Sequence, residues 1–441
     1  MSNSATLPLV MIATTDLTAI TRGRSIPVTQ LERAAETGVG WVPANASLTP
    51  FDMIADENPW GSRGDLRLLP DLRARFRVTR SRAATPFDLV MADIVDLDGA
   101  SWQVCPRSLL KRALDDFKVE TGLQVAAAFE QEFQILGAGW SPAPSFSFQA
   151  LRRGDPFGPE LVAAYEEAGI EPEVFLPEYG RDQFEMSCAP AIGVGSADRA
   201  VAVREITREI ARLNGLRATF SPKTSSDGVG NGVHLHISFR DSEGRPALFD
   251  ADGPGRLSAT GRSFCAGILA HLPALAALTA PSVASYQRLQ PHHWSAAWTW
   301  LGERDREATL RLCPTVAIGG RDPGPQFNLE YRASDATACP HLLLAVVVRA
   351  GIEGLRAGLT MPPLVETDPG SMSEDDRSRL GVHRLPQTLP DALVALTEDE
   401  TVSGWFTDAF LKTYHGIKQK EIALLEGLDT AAVLARYSDV Y

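Results

Sequence analysis

Acidic, imidazole and guanidinium side chains recur in this sequence on short stretches that alternate polar with apolar residues. The stretch AAAFEQEFQIL, residues 126–136, is apolar enough for a buried strand, yet it carries Glu130 and Glu132 two positions apart. Alternate residues of a strand share a face, so both carboxylates point one way while Phe129, Phe133 and Ile135 point the other. Like charges that close repel each other unless a cation or water separates them. The pattern returns. DQFEMSC sets Gln183, Glu185 and Ser187 against Phe184, Met186 and Cys188, and GVHLHISF sets His234, His236 and Ser238 against Val233, Leu235 and Ile237. FNLEYRAS does the same with Asn328, Glu330 and Arg332, and ATLRLCP places Arg311 between Leu310 and Leu312. One such strand reads as half-exposed with a solvated face. Several together, carrying Glu, His and Arg but almost no Lys, read as one sheet whose polar face binds cations and anions.

Glu130, Glu132, Glu178, Glu185, His234 and Glu330 form an oxygen-rich set with one imidazole, suited to two or more Mg²⁺ or Mn²⁺ ions rather than to structural zinc. Arg288, Arg306, Arg311 and Arg332 supply the opposite charge. Divalent ions and arginines on one surface equip phosphoryl transfer, because the ions bridge phosphate oxygens and the guanidiniums neutralise charge on the transferred group. No Walker loop or G-x-G-x-x-G occurs, so a nucleotide must be held in another way.

The elements that position these residues are legible in outline. The chain of 441 residues is 44% apolar and 22% charged, enough for two domains or one large one with a substantial core. Its net charge of −13 argues against nucleic-acid or anionic-membrane surfaces and suits small ligands. The early apolar run LPLVMIA is too short for a membrane span and lacks the charged lead-in of a signal peptide, which implies a cytoplasmic protein. Cys105, Cys188, Cys265, Cys313 and Cys339 stand singly and read as packing residues. LVMIATTDL and FDLVMADIVDLDG read as strands, a short helix follows Pro27, and TPFDMIADENPWGSRGD is turn-rich, together a small α/β domain. A helix opens with Pro106 in its first turn and stops at Gly122, which places a boundary after residue 105. Further helices are expected over 197–213 and 334–357, and residues 361–390 read as loop.

These blocks resemble glutamine synthetases of the bacterial type I class and their γ-glutamyl-amine ligase relatives. The resemblance is carried by FEQEF, EYGRDQFE (178–185), GVGNGVHLHIS (228–238), SYQRLQP (285–291), DREATLRLCP (305–314) and NLEYRASDATACPHL (328–342), in family order. RGRSIP and GDLRLLPD resemble the family's N-terminal domain. The resemblance implies an α+β fold: a β-grasp domain over 1–105, then a catalytic domain over 106–441 of curved antiparallel sheet with surrounding helices. It implies a first metal site at Glu132, Glu178 and Glu185 and a second at Glu130, His234 and Glu330. Arg288 and Arg332 would bind glutamate with Gly230 beside them, Arg306 and Arg311 would contact phosphate, and His236 and Ser238 would lie towards ATP. Asp52 would reach a neighbouring active site in a homo-oligomer of two stacked hexameric rings. ATP would phosphorylate the γ-carboxylate of glutamate, and a nitrogen nucleophile would attack the acyl phosphate.

The sequence also departs from that pattern. In the ammonia-using enzymes a flap glutamate follows the SYQRLQP arginine by six residues, and here Trp294 holds the position. An indole is no base; it offers apolar area and a π face, which suit an organic amine. Trp298 and Trp300 follow, so apolar surface is expected to gather where the acceptor enters. Arg181 and Asp182 replace a glycine pair, Val229 stands at a commonly polar loop position, and Asn328 replaces an arginine. The expected activity is a glutamate–amine ligase. A synthetase using ammonia, with His292 or His293 in place of the flap carboxylate, and a non-catalytic sensor on the same scaffold remain as alternatives.

Overall fold

The computed structural model describes residues 7–81, 83 and 85–441; the first six residues of the expected N-terminal domain lie outside the described residues. β1 (Leu9–Thr15), β2 (Thr21–Pro27), β3 (Val39–Trp41), β4 (Leu66–Val78) and β5 (Phe87–Val95) form a sheet in the order β2-β1-β5-β4-β3. β1 and β2 make a hairpin, while β1 and β5 run parallel at the centre. The central strands bury Val10, Ile12, Val90 and Met91 and so read as apolar runs. A short α-helix, Leu31–Thr37, crosses between β2 and β3.

The second sheet contains β6 (Gln124–Leu136), β7 (Pro172–Pro177), β8 (Gln183–Cys188), β9 (Ala191–Ile192), β10 (Arg217–Thr219), β11 (Val233–Arg240), β12 (Leu301–Glu303), β13 (Leu310–Leu312) and β14 (Leu329–Tyr331). Its path is β12-β13-β14-β11-β6-β8-β7, with β9 and β10 also paired to β6. The pairing is antiparallel except between β12 and β13, which run parallel across the turn that joins them. Register brings the polar faces into line: Glu132 lies opposite Glu185, Glu130 opposite His234, and both His236 and Arg311 opposite Glu330. The other face is core. Phe133 packs its ring 5.3 Å from Phe220 and 5.9 Å from Phe184, and Phe239 meets Phe117 and Phe264 from two backing helices. Each fully buried ring contributes roughly 1.5–3 kcal/mol of transfer free energy, which fixes strand register against slippage.

Helix Pro106–Thr121 has the expected limits, closed by Gly122 at φ 72°. The helix expected at 197–213 starts earlier, at Val194, and the one expected at 334–357 starts only at Pro340. Residues before Pro340 cannot join it, because the ring disfavours a helical residue in front of it and Asp335 closes a turn on Thr337. The stretch expected as loop, 361–390, contains a helix, Glu374–Leu380, capped by Ser373 and ended by Gly381. Helix Ala259–Thr279 is long and apolar enough to cross a membrane, but 67% of its apolar window is buried inside the protein. It lies so close to helix Pro340–Arg356 that a Cβ on Gly267 would sit 2.1 Å from the Ala350 carbonyl.

Arg107, at the start of helix Pro106–Thr121, ties the first sheet to the helices behind the second. Its guanidinium donates to Asp71 on β4, Asp93 on β5 and Asp198 on helix Val194–Leu213, and Asp198 also meets His341 Nε2 at 2.8 Å. Such a buried cation is tolerable only because every side of it faces a carboxylate.

Candidate active site

The polar face of the second sheet gathers the carboxylates that the alternation foretold. Glu130 Oε1 lies 2.9 Å from His234 Nδ1, and Glu130 Oε2 lies 3.6 Å from His236 Nε2. Burial opposes charge on Glu130, yet the two rings hold its carboxyl well below the usual range. Glu132 is different. It accepts the Gly232 N–H at 2.8 Å, but burial and the nearby Glu178 and Glu130 push it up to about 7. Burial raises Glu185 and Glu178 as well, and the other carboxylates of the cluster add to it. Three acids that resist ionising beside a fourth that is already charged would lose their mutual repulsion on binding a cation.

Further along the sheet Glu330, 1% exposed, sits between guanidiniums: Arg311 Nη1 donates to Oε2 at 2.6 Å and Arg332 Nη1 donates to Oε1. Burial would raise this carboxyl, but Arg332, the two histidines and Arg311 hold it down to about 2. His234, lowered to about 4 by burial and then by Arg332, is neutral at physiological pH and can act as a ligand. His236 places Nδ1 2.8 Å from Asn328 Oδ1, leaving Nε2 towards Glu130, buried and without a hydrogen-bond partner. Glu130, His236 and Glu330 offer ligand atoms within 4.8 Å of one another. The resemblance gave His234 to the second metal set and His236 to the nucleotide; the geometry puts both rings against Glu130. The oxygen donors of Glu132 and Glu185, held protonated by burial, together with the neutral His234 ring, fit hard divalent cations, which would take the place of those protons.

The arginines sit around this cluster. Arg288, 4% exposed, donates to the Ser334 carbonyl at 2.7 Å, and Gly230 must be glycine because a Cβ would meet Arg288 Cγ at 2.4 Å. The Nε–H groups of Arg288, Arg311 and Arg332 are all buried without an acceptor, which is spare capacity for substrate oxygens. Arg306 is exposed and close enough to Glu178 to favour its charge. Ser238 lies further along β11, where a 420 Å³ cavity opens between Glu130, His236, Ser238, Cys188, Phe327 and Asn328.

Trp294 sits on the rim, 71% exposed, with its carbonyl accepting Arg332 Nη2 at 3.0 Å. The expected concentration of tryptophan surface does not form. Trp300 is 2% exposed and donates Nε1–H to the Glu307 carbonyl, and Trp298 stacks under Arg377 and Arg384. Both join a satellite core with Val365 and Val382, and Trp294 stays outside it. Asp52 is outside the cluster of its own chain, at φ 58° and paired with Arg22 at 2.8 Å. Asn328, read as a polar-face residue and as a departure from the pattern, holds the His236 ring through Nδ1. One contributor escaped the sequence reading: Glu307 anchors the rim loop, and a carboxylate directly after Arg306 was the available signal.

Known families match nearly the whole of this chain. The family model described as glutamine synthetase, catalytic domain, matches residues 103–437, and that described as glutamine synthetase N-terminal domain matches residues 2–102. The gamma-glutamylpolyamine synthetase GlnA3 of Streptomyces coelicolor is 34% identical, over 97% of this chain and 92% of its own length. A crystal structure of a novel glutamine synthase homolog is 48% identical over the whole of both chains, with a TM-score of 0.92. A GmaS/ADP complex is 25% identical, covering 96% of this chain and 95% of its own, with a TM-score of 0.81.

Proposed function

Since this chain belongs to the glutamine synthetase family, we propose that it is an ATP-dependent ligase joining the γ-carboxyl of glutamate to an organic amine. The observation that carries the acceptor class is Trp294, an exposed indole on the rim above Arg332. It stands where the sequence pattern puts a flap glutamate in ammonia-using enzymes. The Streptomyces relative, named for polyamine products, supports the same reading.

Family members work with ATP and divalent ions; we assign Mg²⁺ or Mn²⁺, with Glu132, Glu178 and Glu185 as one ligand set and Glu130, His234 and Glu330 as the other. Bound there, the ions supply charge neutralisation at the phosphate oxygens. Arg288 and Arg332 hold the carboxylates of glutamate, with Gly230 giving the backbone room to approach. The γ-carboxylate oxygen attacks the terminal phosphorus of ATP, ADP leaves, and Arg306 and Arg311 neutralise the transferred group. The neutral amine nitrogen then attacks the γ-carbonyl carbon, phosphate leaves, and the leaving phosphate carries off the proton that the nitrogen loses as the amide forms. His236 and Ser238 line the cavity that takes the nucleotide. Trp294 covers the acyl phosphate against water and lays a π face beside the incoming amine. We assign the enzyme to the cytoplasm as a homo-oligomer of two stacked hexameric rings, in which Asp52 serves a neighbouring site.

The test is phosphate release dependent on ATP, glutamate and a divalent ion, measured across a panel of primary amines. Release that requires glutamate and is strongest with carbon-bearing amines supports the reading. Release that is as fast with ammonium as with every amine refutes it.

A further inference from the structure

The rim loop that carries Trp294 is held by a carboxylate that the mechanism above does not use. The loop leaves Arg288, turns at Gln290 to Trp294, and returns to the sheet through Ser295, whose hydroxyl donates to the Arg288 carbonyl at 2.7 Å. His292 and Trp294 both adopt left-handed backbone conformations, at φ 62° and 53°. Bulky residues seldom sit there, so something outside the loop must hold them. Glu307 does so: the His292 N–H donates to one of its oxygens at 2.9 Å and the Trp294 N–H donates to the other at 2.6 Å. Two N–H groups presented from a left-handed turn form a concavity that binds an anion, and here the anion is a side chain of the same protein.

Glu307 is itself fixed. Its N–H donates to Asp305 Oδ1 at 2.8 Å, and its carbonyl accepts Trp300 Nε1–H at 3.2 Å from the satellite core. On the other side of the loop the Trp294 carbonyl accepts from Arg332, which also holds Glu330. The loop is therefore gripped between a carboxylate on the Asp305–Ala308 turn and an arginine of the sheet.

We propose that Glu307 is the positioning residue of the acceptor site: it holds the 291–294 loop closed over the site and sets where the Trp294 indole stands. This rests on the reading of the chain as an amine ligase. Both Glu307 oxygens are occupied by backbone donors, so the carboxylate acts through the loop and not as a base. Its loss leaves metal and nucleotide sites in place, lets the loop open, and exposes acyl phosphate to water.

The experiment compares Glu307→Ala and Glu307→Gln with the unmodified full chain by two readouts. The first is amide hydrogen exchange at His292 and Trp294, which needs no substrate. The proposal expects slow exchange in the unmodified protein, at least about tenfold faster exchange in Glu307→Ala, and an intermediate rate in Glu307→Gln, which keeps one acceptor oxygen. The second is the partition of acyl phosphate. Glu307→Ala is expected to raise the KM for the best amine by about tenfold and to release more phosphate per amide formed, while the KM for ATP changes little. Unchanged exchange at both amides overturns the proposal, as does faster exchange with an unaltered amine KM and an unaltered ratio of phosphate to amide. If the unmodified protein shows no preference for amines while the amides respond as expected, the ligase reading fails and the loop clamp stands.

Discussion

In the proposed mechanism Glu132 and Arg332 divide the work of the site between cation and anion. Glu132 is a buried carboxylate pushed up to about 7, and its Oε2 is already held by the Gly232 N–H, so the side chain is aimed before any ligand arrives. Glu132→Ala should lower phosphate release at least about a hundredfold at any glutamate concentration, because an under-coordinated ion beside the remaining acids is poorly held. Near-normal turnover at ordinary Mg²⁺ would remove Glu132 from the ligand set. Arg332→Ala should act elsewhere. A hydrogen bond to a charged group is worth about 1.5–3 kcal/mol, so the KM for glutamate should rise roughly tenfold or more. The same variant frees the Trp294 carbonyl, and the KM for the amine should rise with it. A glutamate dependence like that of the unmodified protein would take Arg332 out of the substrate site.

At the scale of elements, the Arg107 cluster is the joint between the N-terminal sheet and the helices behind the second sheet. Arg107→Met leaves Asp71, Asp93 and Asp198 without their shared cation, so stability should fall by about 3–5 kcal/mol, read as a lowered midpoint in denaturant. A shift below about 1 kcal/mol would mean that the cluster is not a joint. Arg107 was not singled out in the sequence, since an arginine in a first helical turn looks like any surface residue until three distant acids converge on it. What was legible followed from short-range rules. Period-two alternation gave the faces of β6, β8, β11 and β14, and Pro106 with Gly122 bounded a helix. The misses have equally local causes. Pro340 cut off the start of a helix that its apolar pattern extended backwards, and the acidic first turn of Glu374–Leu380 hid a capped helix inside a polar stretch. Trp298 and Trp300 were misplaced because nearness to Trp294 along the chain does not decide which core a side chain joins.

For the whole molecule the unbalanced acids set how stability depends on pH and on ions. Glu132 and Glu185 are raised in the folded chain, so the fold keeps protons that the unfolded chain gives up above about pH 4.3. Their contribution to stability is fully present below that pH and is lost as pH rises, through about 7 for Glu132 and through about 10 for Glu185. Divalent ions relieve the same repulsion. Added Mg²⁺ should therefore raise Tm more at pH 8 than at pH 5, by differential scanning calorimetry on the metal-free protein. An equal shift at both pH values would separate the acids from the ion site. In the proposed mechanism the charge cluster, the loop and the cavity beside His236 and Ser238 act as one device for making acyl phosphate and handing it to an amine. The most direct test is a competition: equal concentrations of ammonium and butylamine with ATP, glutamate and Mg²⁺, and the two amides counted by mass spectrometry. At about 0.8 kcal/mol per buried methylene, a butyl chain resting on Trp294 should favour the γ-glutamyl amide over glutamine by on the order of a hundredfold. Trp294→Glu should move the ratio towards glutamine by removing that surface and adding a base. Glutamine in equal or greater amount from the unmodified protein would contradict the account.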